Sequence, residues 1–419
     1  MASTSGRGDD NSSGRISIVI GKNRTDDNGV PARNETSWIE TSFESPSFRE
    51  SVRSLEEENE RTSPPPRSRS DPNPETEETK PAKPVFDWFD HWYPLHAVDT
   101  MDPTRPHKAQ LLGMNLVLWN DGVTVAGERR EGRWNAYRDA CPHRRAPLSE
   151  GRVEDDGSLM CSYHAWRFEG GAGDGASESC ADAGRCSSSP YSPARFEDRH
   201  RRGARCEVFA TRVEDGFLWV FPRSGLEGIL RGESRPLPLI SELHPDDEGG
   251  YAADPKWRSR IPAGVRDFPC GFDTMIENTL DPAHFCAAHH GTLGNRYTDP
   301  AAFDFKVTQK LTMAEGFGLD GGMGSLEFVP PCLVKYRPDY EAMPFEKNLC
   351  IATYCVPTRP GWVRPLATVL VREGDGEEAR PDVLSKRALD VFMGPYTPAW
   401  LGHILSSVVL HQDAGLLHH

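Results

Sequence analysis

Apolar and polar positions divide the chain into three stretches. Residues 1–84 hold few large apolar side chains and many Ser, Pro, Glu, Arg and Asn, which predicts disorder. Order is expected to begin at Phe86-Asp-Trp-Phe-Asp-His-Trp-Tyr93, an aromatic cluster that a linker has no use for. From residue 85 to about 225, short apolar runs alternate with turns. Leu111–Trp119, Val123–Ala126, Cys206–Phe209 and Phe217–Phe221 read as strands, and Gly170-Gly-Ala-Gly-Asp-Gly175 reads as loop. From residue 226 to 419 the texture changes. Helical spacing appears at Asp273–His290, Asp382–Val391 and Ala399–Leu417, around strand-like runs at Phe303–Thr312, Ser325–Tyr336, Leu349–Val356 and Leu366–Glu373. Strands with helices segregated from them predict an α+β chain: an all-β domain, then a domain with an antiparallel sheet.

Composition narrows the functional classes. With 48 Lys+Arg against 63 Asp+Glu, the net charge of −15 argues against nucleic acid as a partner and against adhesion to an anionic membrane by charge. No run reaches the ~18 apolar residues of a spanning helix. The 10 cysteines are too sparse for a disulfide scaffold, so paired Cys point to metal and a reducing compartment. Asp9 and Asp10 are the only acids among the first 25 residues, which are rich in Ser, Thr and Arg. That composition fits an organelle transit peptide, and equally an ordinary tail.

Cys141-Pro-His143 is followed, after 17 intervening residues, by Cys161-Ser-Tyr-His164. Each short loop offers one thiolate and one imidazole. A [2Fe–2S] cluster with two Cys on one iron and two His on the other needs that division, and the imidazoles raise its potential above an all-Cys cluster. Trp166 is placed to shield it from water. Structural zinc is the competing reading, but zinc sites favour Cys-x2–4-Cys pairs over Cys-x-His.

A second constellation runs from Glu277-Asn278 through Asp281-Pro-Ala-His284 to His289-His290. Two His and a carboxylate with open positions make the ligand set of a non-haem Fe(II) site that activates O₂. His284 and His289 are five apart, off one face of an ideal helix, so their convergence needs a π-bulge or a helix end. Asp281-Pro282 could itself start a helix, and the spacing leaves open whether the helix breaks there. A His pair alone is weak; its position 120 residues after His164 gives the electrons of the first centre a destination. Asp375, Asp382, Asp390 and Asp413 are candidates for the carboxylate. Asp413 is favoured because it interrupts an otherwise apolar stretch, where an acid is costly unless exposed or bound to a cation.

These residues resemble the Rieske non-haem iron oxygenases, and more narrowly the chloroplast branch of pheophorbide a oxygenase, chlorophyllide a oxygenase and the inner-envelope translocon Rieske proteins. The resemblance is carried by Trp92-Tyr-Pro-Leu95, Cys141-Pro-His-Arg-Arg-Ala-Pro-Leu-Ser-Glu-Gly151, Cys161-Ser-Tyr-His-Ala-Trp166, Glu277-Asn278, Asp281-Pro-Ala-His284, His289-His-Gly291 and Gln412-Asp413, and spans about residues 86–417. It implies a Rieske domain followed by a helix-grip, START-like catalytic domain. Cys141, His143, Cys161 and His164 would bind the cluster, and His284, His289 and Asp413 the iron. Asp281 would bridge the two centres between subunits of a head-to-tail trimer, with Asn278 beside it as a further candidate catalytic residue.

The resemblance further implies an oxygenase of an apolar, chlorophyll-derived tetrapyrrole, fed with electrons by reduced ferredoxin, in a chloroplast, at the stromal face of thylakoid or inner envelope. The alternative is a redox-sensing, electron-transfer protein of the translocon type with little oxygenase activity. Ala165 stands where the family has Gly. Relatives continue past the third iron ligand with a Cys-x-x-Cys motif and apolar helices, so the chain, which stops at His419, reads as truncated or as a variant lacking them. Cys350 and Cys355, at an odd offset in one strand-like run, are expected on opposite faces.

Overall fold

The computed structural model describes residues 17–19, 38–40, 86–171, 183–191, 204–244, 257–259, 265–281, 283–289, 297, 305–321, 324–338, 349–372 and 413. Within the stretch expected to be disordered, Ser17–Val19 and Trp38–Glu40 pair as a short antiparallel ladder, and the remainder of that stretch lies outside the described residues.

Two antiparallel sheets, with a short two-stranded ladder of Thr124–Val125 and Glu128–Arg129, form the first domain. The larger has six strands in the order Tyr93–Ala97, Phe217–Ser224, Val208–Glu214, Trp134–Arg138, Met114–Asn120 and His107–Leu111. The smaller has four, in the order Cys186–Ser188, Arg167–Phe168, Leu159–Met160 and Arg152–Val153. Aromatic and β-branched side chains fill the space inside, among them Trp119, Tyr137, Phe168, Trp219 and Phe221, all fully buried. The apolar run Leu111–Trp119 is split rather than continuous. Positive φ at Leu112 (48°) and Gly113 (78°) makes a two-residue hairpin turn that twists with its strands. After the last strand, helix α1 (Gly225–Glu233) folds back onto the sheet. Its Gly232 passes so close to the Trp92 ring that an added Cβ would lie 3.1 Å from it, and Trp92 Nε1 donates to the Gly232 carbonyl at 3.0 Å.

A seven-stranded antiparallel sheet forms the second domain, in the order Trp257–Ser259, Trp362–Arg372, Leu349–Arg359, Leu333–Pro338, Gly324–Val329, Gly316–Gly321 and Phe305–Thr312. Ser325–Tyr336 is two strands, since Pro330-Pro331 can donate no ladder hydrogen bond. Cys350 joins the main core, whereas Cys355 faces the smaller cluster of Phe268, Cys270, Met275 and Val363. The two thiols therefore do point to opposite faces. Helix α2 (Phe272–Leu280) lies on the Cys355 face with Met275 buried. On the other face, the turn amides of Leu112 and Gly113 donate to the carbonyls of Pro357 (2.9 Å) and Thr358 (2.7 Å). The guanidinium of Arg364 pairs with both carboxylate oxygens of Asp267 and donates to the Leu95 carbonyl at 3.1 Å. The expected helices at Asp382–Val391 and Ala399–Leu417 lie outside the described residues, Asp413 excepted. Among the described residues, no helix is long and apolar enough to cross a membrane.

Candidate metal centres

Two loops of the first domain close in the same way. The Cys141 amide donates to the Ala146 carbonyl (2.8 Å) and the Arg145 amide returns to the Cys141 carbonyl (2.8 Å). Twenty residues on, Cys161 pairs with Trp166 (2.9 Å) and Ala165 with Cys161 (3.0 Å) in the same register. The fifth residue of each loop is left-handed, Arg145 at φ 60° and Ala165 at φ 53°. The family's usual Gly suits such a position without steric cost. Asp139 anchors the first loop by accepting from the amide and hydroxyl of Ser149, both at 2.7 Å.

The donor atoms sort by element. Cys141 and Cys161 are buried and their sulfurs share a hydrogen bond, which pulls the Cys161 thiol down and pushes that of Cys141 up. Main-chain amides of Tyr163 and His164 also favour the Cys161 thiolate, and that of His143 favours the Cys141 thiolate. The imidazoles of His143 and His164 lie together further out, ring centroids 4.7 Å apart, with His143 exposed and stacked flat on the buried Trp166. Thiols paired within and imidazoles paired at the surface suit a two-iron cluster, one metal taking sulfur and the other nitrogen. A single zinc ion would gather all four around one point.

The second constellation depends on a broken helix. Asp281 ends α2 in an extended conformation (φ −97°, ψ 98°), its amide reaching back to the Asn278 carbonyl at 3.3 Å. Pro282 cannot continue the α2 ladder. Helix α3 (Ala283–Ala288) then restarts, with His284 in its first turn and His289 just past its end. The helix end, rather than a π-bulge, brings the two rings to 5.1 Å between centroids. Asp413 meets them: its Oδ1 is 3.1 Å from His289 Nε2 and 3.8 Å from His284 Nε2. The three donor atoms all lie within 4.8 Å of one another. Asp375, Asp382 and Asp390 lie outside the described residues.

Burial makes this triad unusual. His289 is 1% and Asp413 6% exposed, and Asp413 Oδ1 has no hydrogen-bond donor. A buried carboxylate oxygen without a donor is costly unless a cation sits beside it. The residues therefore fit a divalent ion. On His284, Nδ1 bonds the main-chain carbonyl of Asp281, which fixes the proton there and leaves the Nε2 lone pair for a metal. Cys270, pushed up to about 11 by burial and by Asp273 and Asp413, also borders the site. Nothing in its local sequence singles it out. Asn278 contributes its carbonyl to the turn and stands outside the triad.

Comparison with known proteins adds the family. Residues 91–188 match the Rieske [2Fe-2S] domain and residues 328–419 the pheophorbide a oxygenase domain. The chain is 35% identical over 291 residues to pheophorbide a oxygenase, chloroplastic, of Arabidopsis thaliana, covering 67% of this chain and 48% of that protein. It is 28% identical over 365 residues to flavonoid 8-hydroxylase 2, chloroplastic, of Ocimum basilicum (82% and 60%). Protochlorophyllide-dependent translocon component 52 of Arabidopsis thaliana matches at 27% over 387 residues (81% and 60%). The chain thus spans about half to three fifths of the length of these relatives. Among solved structures, Pseudomonas putida CBB5 NdmA with caffeine shares the fold with a TM-score of 0.51 at 18% identity, covering 79% of this chain and 82% of that one.

Proposed function

This chain joins a Rieske domain to a pheophorbide a oxygenase domain, the make-up of the Rieske oxygenases, and on that premise we propose that it oxygenates an apolar substrate with O₂ and electrons from reduced ferredoxin. One observation carries the reading: a buried carboxylate oxygen of Asp413 without a donor, facing two imidazole nitrogens. Cys141, His143, Cys161 and His164 would hold a [2Fe–2S] cluster, and His284, His289 and Asp413 an Fe(II) ion. Such an ion, when bound, supplies the activation of O₂ that no side chain can.

The chain's own residues do the rest. The Asp281 carbonyl keeps the His284 proton on Nδ1. His143, exposed at the surface, is the side of the cluster loops open to a redox partner. The Asp281 carboxylate is suited to link the centres of neighbouring subunits in a trimer, with Asn278 one turn earlier on α2. Relatives named chloroplastic support a chloroplast setting.

Relatives' names include a pheophorbide a oxygenase and a flavonoid 8-hydroxylase. A chlorophyll-derived tetrapyrrole is the substrate class we favour. O₂ uptake by the iron-loaded protein with reduced ferredoxin tests this. Uptake that rises with a tetrapyrrole and yields an oxygenated product supports it. Cluster cycling with no substrate-dependent uptake would favour the redox-sensing alternative of the translocon relatives.

A further inference from the structure

Outside both centres, a second group of ligand-type side chains converges where the two domains meet. Glu214 and Asp215 end the strand Val208–Glu214 and enter the tight turn that leads to Phe217–Ser224. His244 follows a 3-10 turn, Ser241–Leu243, in the segment that leads from α1 towards the second domain. Asp215 Oδ1 lies 2.7 Å from His244 Nε2, and one donor atom from each of Glu214, Asp215 and His244 falls within 4.8 Å of the other two.

The contact between His244 and Asp215 accounts for only half of that carboxyl. The Asp215 side chain is 8% exposed, and its second oxygen, Oδ2, is buried with no hydrogen-bond donor. A buried carboxylate oxygen left so is costly, because desolvation is paid and no hydrogen bond offsets it. The His244 ring, 36% exposed, and the exposed Glu214 leave the outer side open to solvent, so an ion could enter and keep water ligands. One imidazole and two carboxylates, three protein ligands with room for water, suit a borderline divalent ion of the zinc type.

We propose that Glu214, Asp215 and His244 bind a zinc-type divalent cation that ties the turn after Glu214 in the first domain to the segment entering the second. The site is distinct from His284, His289 and Asp413 and does not depend on the oxygenase reading.

The test uses cluster-loaded protein carrying Asp413→Asn, so that the other triad does not compete, stripped of loosely held metal and titrated with zinc alone by calorimetry. The expected result is one zinc ion bound with micromolar or better affinity and a raised thermal midpoint. His244→Gln added to this background should weaken zinc binding at least tenfold and abolish the midpoint shift. Glu214→Gln, at an exposed position, should weaken it tenfold as well and decides the matter if the His244 variant does not fold. Zinc binding weaker than micromolar in the Asp413→Asn protein, or binding unchanged by Glu214→Gln, overturns the proposal.

Discussion

The ring of Tyr354, in the second sheet, stands edge-on to that of Trp219 in the first, with centroids 5.2 Å apart and planes at 87°. Both are fully buried, and the Tyr354 hydroxyl donates to the Pro238 carbonyl at 2.9 Å. One side chain therefore touches the first sheet, the connecting segment and its own strand. Tyr354→Phe should cost about 1 kcal/mol by losing the hydrogen bond, and Tyr354→Ala about 3–5 kcal/mol by opening a cavity. Urea unfolding measures both; equal costs would show that the hydroxyl carries the whole effect.

Glu242 gives the interface a pH dependence. Burial pushes its carboxyl up, but Lys335 and Arg337 overcome this and hold it below the ordinary Glu value. A carboxylate lowered in the folded state stabilises above the unfolded value near pH 4.3, and that contribution fades as pH falls through the folded value. Glu242→Gln should therefore cost about 3 kcal/mol at pH 7, by leaving the buried Lys335 and half-buried Arg337 short of a partner, and progressively less below about pH 4. Thermal unfolding from pH 3 to 8 reads the convergence, and parallel curves would contradict it.

Asp281→Asn should keep its iron. The bond that orients His284 comes from the main chain of residue 281, which the substitution leaves in place. Iron and acid-labile sulfide should match the parent while turnover falls. His284→Ala, in contrast, should lose one iron per chain with sulfide unchanged.

Asp413→Ala separates the cost of the triad from its use. In iron-free protein the change removes a buried oxygen without a donor, so stability should hold or rise by about 1–3 kcal/mol. In the presence of Fe(II) the parent should gain stability by mass action and the variant should not. Thermal midpoints with and without Fe(II) show the crossover.

Ala165→Gly should stabilise the second cluster loop by about 0.5–1 kcal/mol, because Ala at φ 53° pays a steric cost that Gly avoids. Denaturant unfolding measures it, and a loss of stability would show that the greater freedom of the unfolded Gly chain dominates.

What the sequence made legible follows the range of the interactions. The Cys141 and Cys161 loops are closed by their own backbones within six residues, so spacing alone announces them. Strand runs such as Leu349–Val356 were visible because each buries a continuous apolar face, although the strand extends to Arg359. Leu111–Trp119 misled because a single Gly113 is a quiet signal for a hairpin amid apolar residues. Helix α1 had no clear sequence signal, since three of its nine residues are Gly and its helicity is set by packing on the sheet. The partnership of His289 with Asp413, 124 positions apart, was legible because Asp413 is an acid set in an apolar stretch, whereas the clamp of Arg364 on Asp267 is a tertiary fact that no local pattern encodes.

The matched cluster loops carry a consequence for the metal-free chain. A cluster that takes both sulfurs on one iron and both nitrogens on the other draws the ligands of each metal from both loops. It is then a cross-link between residues 141 and 161, much as a disulfide would be, closing a ring of about 20 residues. On the chain-entropy scale such a ring is worth roughly 3 kcal/mol. Loss of the cluster to oxidation would therefore remove a brace as well as an electron carrier, and damage to the cofactor would register as unfolding of the domain that held it.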